Sequence, residues 1–136
     1  MTRIVGIGTD IVECLRIAQM IERHGELFLE RVYTPGEVRY CQRRNQATQH
    51  FAARWAAKEA VLKSLRTGWV RGISWRDVEV LSDGGPPSIA LHAGVREVAS
   101  QCDIREILIT MSHCRSHAVA YALAVSDDGH ERSTDD

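Results

Sequence analysis

The 136-residue chain is long enough for one domain with a substantial core, and its 44% hydrophobic and 26% charged residues are ordinary for a soluble globular protein. Its formal net charge of −1 provides no overall field that favours nucleic acid or an anionic membrane. Because the sequence shows neither a signal peptide nor a long apolar run, and its four cysteines lack metal-ligand spacing, we expect a cytoplasmic protein with reduced thiols.

Hydrophobic periodicity and turn signals predict an α+β fold, with a mostly antiparallel sheet packed against a long central helix. The helical segments are predicted over residues 11–25, 27–32 (helical or irregular), 35–43, 48–65, 73–76 (one turn) and 93–101. The strands are predicted over residues 4–9, 78–81, 89–92, 104–111 and 117–125, the second and third forming a hairpin. Residues 1–125 are therefore expected to form one domain, and residues 126–136 a polar, frayed tail.

The first strand is interrupted by Gly6 and Gly8, a pattern typical of a strand that another backbone or a ligand approaches closely. Asp10 follows at the predicted strand-to-helix junction. Its carboxylate is suited to cap the helix together with Glu13, or to face outward from a rigid junction toward a ligand. The two uses are compatible, and the local sequence leaves both open.

The helix over residues 35–43 has a clear beginning and a basic end. Thr34, Pro35 and Glu37 form a helix-start signal, with Thr34 as the capping residue and Pro35 at the first helical position. Arg43 and Arg44 are interpreted as a solvated helix end, which the helix dipole favours.

The central helix has an apolar stripe, a face of small residues and four charged residues. The stripe consists of Phe51, Trp55, Leu62 and Leu65, and the small face of Ala53, Ala56, Ala57, Ala60 and Ser64. Glu59 and Lys63 are spaced for an ordinary surface pair, worth about 0.2–0.5 kcal/mol. The alternative is a metal-assisted phosphate site, in which Glu59 binds a cation while Arg54, Lys58 and Lys63 bind anionic groups.

Two later segments could add to such a site. The loop over residues 66–72 contains two glycines and two arginines and could wrap a phosphate-bearing ligand, although such loops are common without one. His113, in the predicted turn over residues 112–116, either bonds turn backbone or serves in proton transfer or phosphate binding.

Three motifs in this order carry a family resemblance: GTDIVE around Asp10, AAKEA around Glu59, and the late Met111-Ser112-His113. With them, roughly residues 3–125 resemble the holo-acyl-carrier-protein synthases, the small members of the 4′-phosphopantetheinyl transferases. The resemblance implies the fold of that family and a Mg²⁺-dependent reaction. The enzyme would transfer phosphopantetheine from coenzyme A to a serine of an apo acyl carrier protein and release adenosine 3′,5′-bisphosphate.

The resemblance also implies roles for individual residues. Asp10 and Glu59 would hold the Mg²⁺ that bridges the coenzyme A pyrophosphate, an arrangement that suits an ion preferring carboxylates and phosphates. Lys63 would contact a phosphate and assist proton movement, Arg54 would lie near the 3′-phosphate of coenzyme A, and His113 would lie near its pyrophosphate. Thr67 and Gly68 would border the nucleotide. Arg16 would contact the acidic helix of the carrier protein.

The family resemblance further implies a homotrimer with active sites between subunits, which would account for the small-residue face and for charges left unpaired within one chain. Arg66 departs from the family pattern because a glycine usually precedes Thr-Gly, and Cys114 departs from the usual residue after the histidine. Glu59, a metal-bound water and His113 all stay open as the general base. The competing hypothesis is a non-catalytic coenzyme A or nucleotide-binding subunit; a metal nuclease has little support, since no basic-aromatic strip is present.

Overall fold

The computed structural model describes residues 1–127, which form five α-helices and two antiparallel sheets. The helices are α1 (Cys14–His24), α2 (Glu26–Val32), α3 (Pro35–Gln42), α4 (Ala47–Ser64) and α5 (Ala93–Gln101). The strands are β1 (Thr2–Glu13), β2 (Val78–Leu81), β3 (Ser88–Leu91), β4 (Glu106–His113) and β5 (His117–Asp127). The larger sheet has the order β1-β5-β4, and β2 pairs only with β3. The predicted α+β class with antiparallel strands is confirmed.

Most predicted elements are present, with shifted ends. The hairpin of β2 and β3 and the helix α5 are confirmed, and a single 3₁₀ turn at Trp75–Asp77 replaces the predicted turn at residues 73–76. β5 continues through Ser126 and Asp127, so the predicted tail is wrong for these two residues, and its remainder, 128–136, lies outside the described residues. None of the helices in the described part of the chain has the length and apolar character of a membrane span.

β1 is longer than predicted, and this changes the setting of Asp10. The strand runs on to Glu13 because residues 10–13 pair with β5, Asp10 opposite Ala120 and Glu13 opposite His117. The first helix therefore begins at Cys14, and Glu13 occupies its N-cap without a side-chain hydrogen bond. Of the two uses considered for Asp10, the helix cap is thus excluded, because pairing in the sheet prevails over the helical spacing of residues 11–15.

The central helix lies directly on β1 because two glycines remove the side chains between them. A Cβ atom built on Gly8 would lie 2.0 Å from the carbonyl oxygen of Ala60, and one on Gly6 would lie 2.0 Å from that of Ser64. The small face of α4 is buried, and so are the four alanines of β5 that face the same side, Ala118, Ala120, Ala122 and Ala124. Packing within one chain thus accounts for the small-residue face, which we had expected subunit assembly to explain.

The helix-start signal of α3 is confirmed and connects to the core. Thr34 Oγ1 accepts a hydrogen bond from the Glu37 amide at 3.2 Å, and Glu37 Oε1 accepts one from the Thr34 amide at 2.8 Å. Glu37 is buried, and its Oε2 also accepts the Val80 amide hydrogen at 2.8 Å. One carboxylate therefore joins α3 to β2 beneath the central helix.

The close approach of α4 to β1 can be tested with Gly8→Ala. Because the added methyl group meets backbone that cannot move aside locally, we expect a loss of about 1–3 kcal/mol in the free energy of unfolding, or failure to fold. Gly85→Ala is the matched control, since a Cβ atom at Gly85 meets nothing within 4 Å. Urea unfolding of both variants checks this, and equal stability would contradict the packing described.

Candidate functional site

The contact between α4 and β1 brings two carboxylates together. Asp10 lies two residues beyond Gly8, so its side chain projects from the same face of β1 toward the helix. Glu59 directly precedes Ala60, whose carbonyl oxygen abuts Gly8. Burial raises the pKa of Glu59, and the nearby charge of Asp10 raises it further. The two acids that are 49 positions apart in sequence therefore share one site.

Two basic residues complete this cluster. Lys63, one turn after Glu59, donates hydrogen bonds from Nζ to the Thr9 carbonyl oxygen at 2.9 Å and to Asp10 Oδ1 at 3.2 Å. Arg16, exposed on α1, is close enough that its charge opposes the rise in the pKa of Glu59, as does that of Lys63. Because the Lys63 side chain is half exposed, the ion pair with Asp10 adds little stability and leaves its ammonium open to a ligand.

The donor set fits a hard divalent cation. Glu59 Oε2 is buried and has no hydrogen-bond partner, which is costly for a carboxylate oxygen by about 1–3 kcal/mol. A cation shared with Asp10 would satisfy this oxygen. Residues 1–127 contain no group of three or more His, Cys, Asp or Glu side chains that could hold a metal. Mg²⁺ matches the pair of Asp10 and Glu59 because it commonly takes one or two carboxylates, with phosphates and water as its other ligands.

A second cluster, which we call the arginine cluster, consists of Arg54, Tyr40 and Arg44. The guanidinium carbons of Arg44 and Arg54 lie 3.9 Å and 4.0 Å from the centroid of the Tyr40 ring. Arg54 is only 2% exposed, donates to Ser82 Oγ at 2.9 Å, and has a buried Nε without a partner. The cluster therefore contains a buried guanidinium nitrogen whose hydrogen-bonding capacity is unused, which is unfavourable for a charged group.

The arginine cluster adjoins an open cavity of about 300 Å³ and reaches His113. The cavity is lined in part by Arg39, Arg43 and Arg44. His113 is the last residue of β4, not a turn residue as predicted, and its ring lies 5.1 Å from that of His50 on α4. The sequence analysis did not single out His50, and it interpreted Arg44 as part of a solvated helix end. Arg44 is exposed, as that interpretation requires, and its i, i+4 spacing from Tyr40 was a signal for their contact.

The two clusters lie on different sides of α4. Arg54 and Glu59 are five residues apart, which places their side chains about 140° apart around the helix axis. The charges that shift the pKa of Glu59 come from Asp10, Lys63 and Arg16, none of which belongs to the arginine cluster. The structure therefore brings together Asp10, Glu59, Lys63 and Arg16, and it places Arg54 and His113 elsewhere.

The expected ligand contact of Lys58 needs correction. Its ammonium is fully buried, lies 2.8 Å from Glu37 Oε1, and also donates to the carbonyl oxygens of Trp75 and Val78. Burial lowers the pKa of Lys58, and the charge of Glu37 opposes this effect. With its three hydrogens directed at acceptors of its own chain, Lys58 joins α4 to α3 and β2 and is not available to a phosphate.

The loop after α4 is exposed and contains a strained residue. Thr67 and Gly68 are exposed, and Thr67 Oγ1 donates only to the Gly68 carbonyl oxygen, at 3.3 Å. Arg66 has a φ of 68°, a left-handed conformation that favours glycine. The Cγ atom of Arg66 lies close to β1, since a Cβ atom built on Gly6 would be 3.1 Å from it.

The chain is similar in sequence to proteins of a known family. The model of the 4′-phosphopantetheinyl transferase superfamily matches residues 6–122. A protein of Rhodopirellula baltica named holo-[acyl-carrier-protein] synthase is 48% identical over 123 residues, which cover 88% of this chain and 96% of that protein. One of the same name from Koribacter versatilis is 47% identical over 118 residues, covering 86% of this chain and 94% of the relative.

The chain is also similar in structure to solved holo-acyl-carrier-protein synthases. The holo-ACP-synthase of Plasmodium yoelii has a TM-score of 0.81 at 30% identity and covers 93% of this chain and 98% of its own. The holo-[acyl-carrier-protein] synthase of Helicobacter pylori, solved in complex with coenzyme A, has a TM-score of 0.76 at 28% identity. That match covers 87% of this chain and 98% of the H. pylori chain.

Proposed function

The chain belongs to the 4′-phosphopantetheinyl transferase superfamily, and we propose that it transfers 4′-phosphopantetheine from coenzyme A to a serine hydroxyl of an apo acyl carrier protein. The second product is adenosine 3′,5′-bisphosphate. The names of the relatives and the H. pylori complex with coenzyme A support this reaction. The observation that carries it in this chain is the pair of Asp10 and Glu59, with the unpaired buried oxygen of Glu59 between helix and strand.

In the proposed mechanism, Asp10 and Glu59 would hold Mg²⁺, and the ion would supply charge neutralisation to the transferring phosphoryl group. The ammonium group of Lys63 donates a hydrogen bond to Asp10 and can donate another to a phosphate oxygen. Glu59 and His113 are the residues of this chain suited to accept the serine proton. Phosphoryl transfer depends mainly on positioning, which the rigid contact of α4 with β1 provides.

The carrier protein has a suitable docking surface beside the carboxylates. A groove of about 320 Å³ is lined by Met20, Leu27, Phe28, Trp55 and Trp75, and it also contains Arg31. Trp55 precedes Glu59 by one turn of α4, and Arg16 precedes Met20 by one turn of α1, so the groove runs up to the acids. An apolar floor with arginines at its rim is complementary to an acidic amphipathic helix, which we propose is presented by the carrier protein.

The separation of the two clusters supports an active site shared between subunits of a homotrimer. A helix with its side chains is about 10–12 Å across, so a ligand with its pyrophosphate at Glu59 reaches Arg54 of the same chain only by passing around α4. The ligand would not need to pass around the helix if it reached the arginine cluster of a neighbouring copy instead. We therefore propose that one subunit supplies Asp10 and Glu59, while the next supplies Arg44 and Arg54 for the 3′-phosphate end and His113 near the pyrophosphate.

An uncovered sheet face is available for this assembly. Ile7, Ile11, Leu108 and Tyr121, on the side of the larger sheet opposite α4, are 68%, 65%, 47% and 53% exposed. A contiguous apolar patch of this kind marks an interaction surface. A second copy of the chain is the proposed occupant, because the divided active site requires one. The cytoplasm is the proposed location, consistent with free thiols at Cys14, Cys41, Cys102 and Cys114.

The transfer can be tested by incubating the protein with Mg²⁺, coenzyme A and an apo acyl carrier protein and weighing the carrier by mass spectrometry. Wild type is expected to add one phosphopantetheine. Glu59→Gln is expected to slow transfer by about 100-fold or more, because an uncharged amide cannot replace a carboxylate on the ion. Its melting temperature should not fall, since the variant removes a negative charge that is disfavoured by burial and by the neighbouring Asp10.

Glu97→Gln, the same substitution on the exposed surface of α5, serves as the control and should leave transfer unchanged. Full activity of Glu59→Gln would refute the ion site. If wild type binds coenzyme A tightly but no cognate carrier gains mass, the protein is instead the non-catalytic coenzyme A-binding subunit.

The shared site can be tested by mixing two inactive variants. One carries Glu59→Gln; the other carries Arg44→Ala and His113→Ala, both at exposed positions. After co-expression, random assembly into rings creates intact sites at about a quarter of the interfaces. We expect transfer to recover to about that fraction of wild type in the mixture. No recovery, with a trimer demonstrated by light scattering, would show that each chain uses its own arginine cluster.

A further inference from the structure

The ring of His113 is held in place by another ring. His113 is exposed at the end of β4, and no side-chain hydrogen bond to its ring is found among residues 1–127. The centroids of the His50 and His113 rings lie 5.1 Å apart, at an interplanar angle of 66°. This edge-to-face arrangement is one of the favourable geometries of neighbouring aromatic rings. The orientation of His113 therefore depends on a residue of α4.

His50 is itself fixed from the other side. Its ring lies 5.9 Å from that of Tyr40 at 72°, and Tyr40 lies beneath the guanidinium groups of Arg44 and Arg54. The backbone of His50 is held in the first turn of α4, where its amide donates to the Gln46 carbonyl oxygen at 3.3 Å. A continuous row of rings thus runs from His113 through His50 to the arginine cluster.

The surroundings of His50 favour its neutral form. Burial lowers the pKa of His50, and the charges of His113, Arg54 and Arg44 lower it further. Tyr40 on α3 is the other titratable group that faces it, and the Tyr40 pKa is itself lowered, chiefly by a hydrogen bond with Arg44. A neutral ring near Arg44 and Arg54 fills the space without adding repulsion, which suits a spacer better than a proton donor.

We propose that His50 is a positioning residue of the transferase, which holds the His113 ring in register with the arginine cluster and thereby with the bound substrate. The inference rests on the proposed function, because it assigns His113 to the active site. It also explains why a half-buried polar ring, rather than an aliphatic residue, lies between His113 and Tyr40. His50 touches no reacting atom in this scheme and acts through His113.

The test uses a double-mutant cycle with the full-length protein. We expect His50→Ala to lower kcat by about 10-fold with little change in the KM for coenzyme A, since a misplaced group weakens the transition state more than ground-state binding. His50→Phe keeps the ring and should restore most of kcat, whereas His50→Gln should not. His50→Ala combined with His113→Ala should be no slower than His113→Ala alone. Gln49→Ala, at the adjacent position, is the control.

A second measurement does not depend on turnover. Titration of the imidazole signals by NMR should show a His50 pKa below its ordinary value, which rises in His113→Gln because the neighbouring charge is removed. The His113 ring signal should shift in His50→Ala but not in Gln49→Ala.

The outcomes separate this inference from the proposed function. If wild type transfers phosphopantetheine, three results would each overturn the role of His50 while leaving the transferase intact. They are an unchanged kcat in His50→Ala, losses that multiply in the double variant, and rescue of kcat by His50→Gln but not by His50→Phe. Absence of transfer by wild type would instead reject the function itself.

Discussion

The structure depends on the direct contact between the backbone of α4 and the first strand. Two glycines on β1 and an alanine and a serine on the helix allow carbonyl oxygens of α4 to occupy the space that side chains would otherwise fill. Such close packing leaves no freedom for the helix to slide or rotate. Asp10 and Glu59, which project at the edge of this contact, are therefore fixed relative to each other. A site for phosphoryl transfer needs this kind of rigidity more than it needs reactive side chains.

The charged residues of α4 divide according to the face of the helix that carries them. Lys58 is buried and binds Glu37, so it belongs to the folding of the domain, and breaking such a buried pair is costly. Glu59 and Lys63 lie at β1 beside Asp10, where we propose the ion site. Arg54, with Tyr40 and Arg44, faces another direction and keeps an unpaired nitrogen. One helix thus supports the core and carries both clusters. In the proposed trimer, a complete site forms only where two copies of the chain meet.

Much of the fold and part of the site could be predicted from the sequence. The central helix, the capping box of Thr34 and Glu37, and the β2–β3 hairpin follow from local signals that the structure bears out. The length of β1 did not follow, because its pairing with β5 joins residues more than a hundred positions apart. Lys58 and Arg54 could not be told apart in sequence, since both are basic residues on α4 and only the position of Glu37 distinguishes them. The contact of His50 with His113 depends on how β4 meets α4, which no local pattern encodes.

The central claim is that Asp10 and Glu59 bind one ion together, and a crystal structure with coenzyme A and Mn²⁺ in place of Mg²⁺ tests it most directly. Mn²⁺ shares the preference of Mg²⁺ for oxygen ligands and is identified by its anomalous scattering. We expect a single peak within about 2.0–2.3 Å of a carboxylate oxygen from each residue, Glu59 Oε2 among them, and of pyrophosphate oxygens. A peak bound by the pyrophosphate alone, with Glu59 Oε2 still unpaired, would contradict the account.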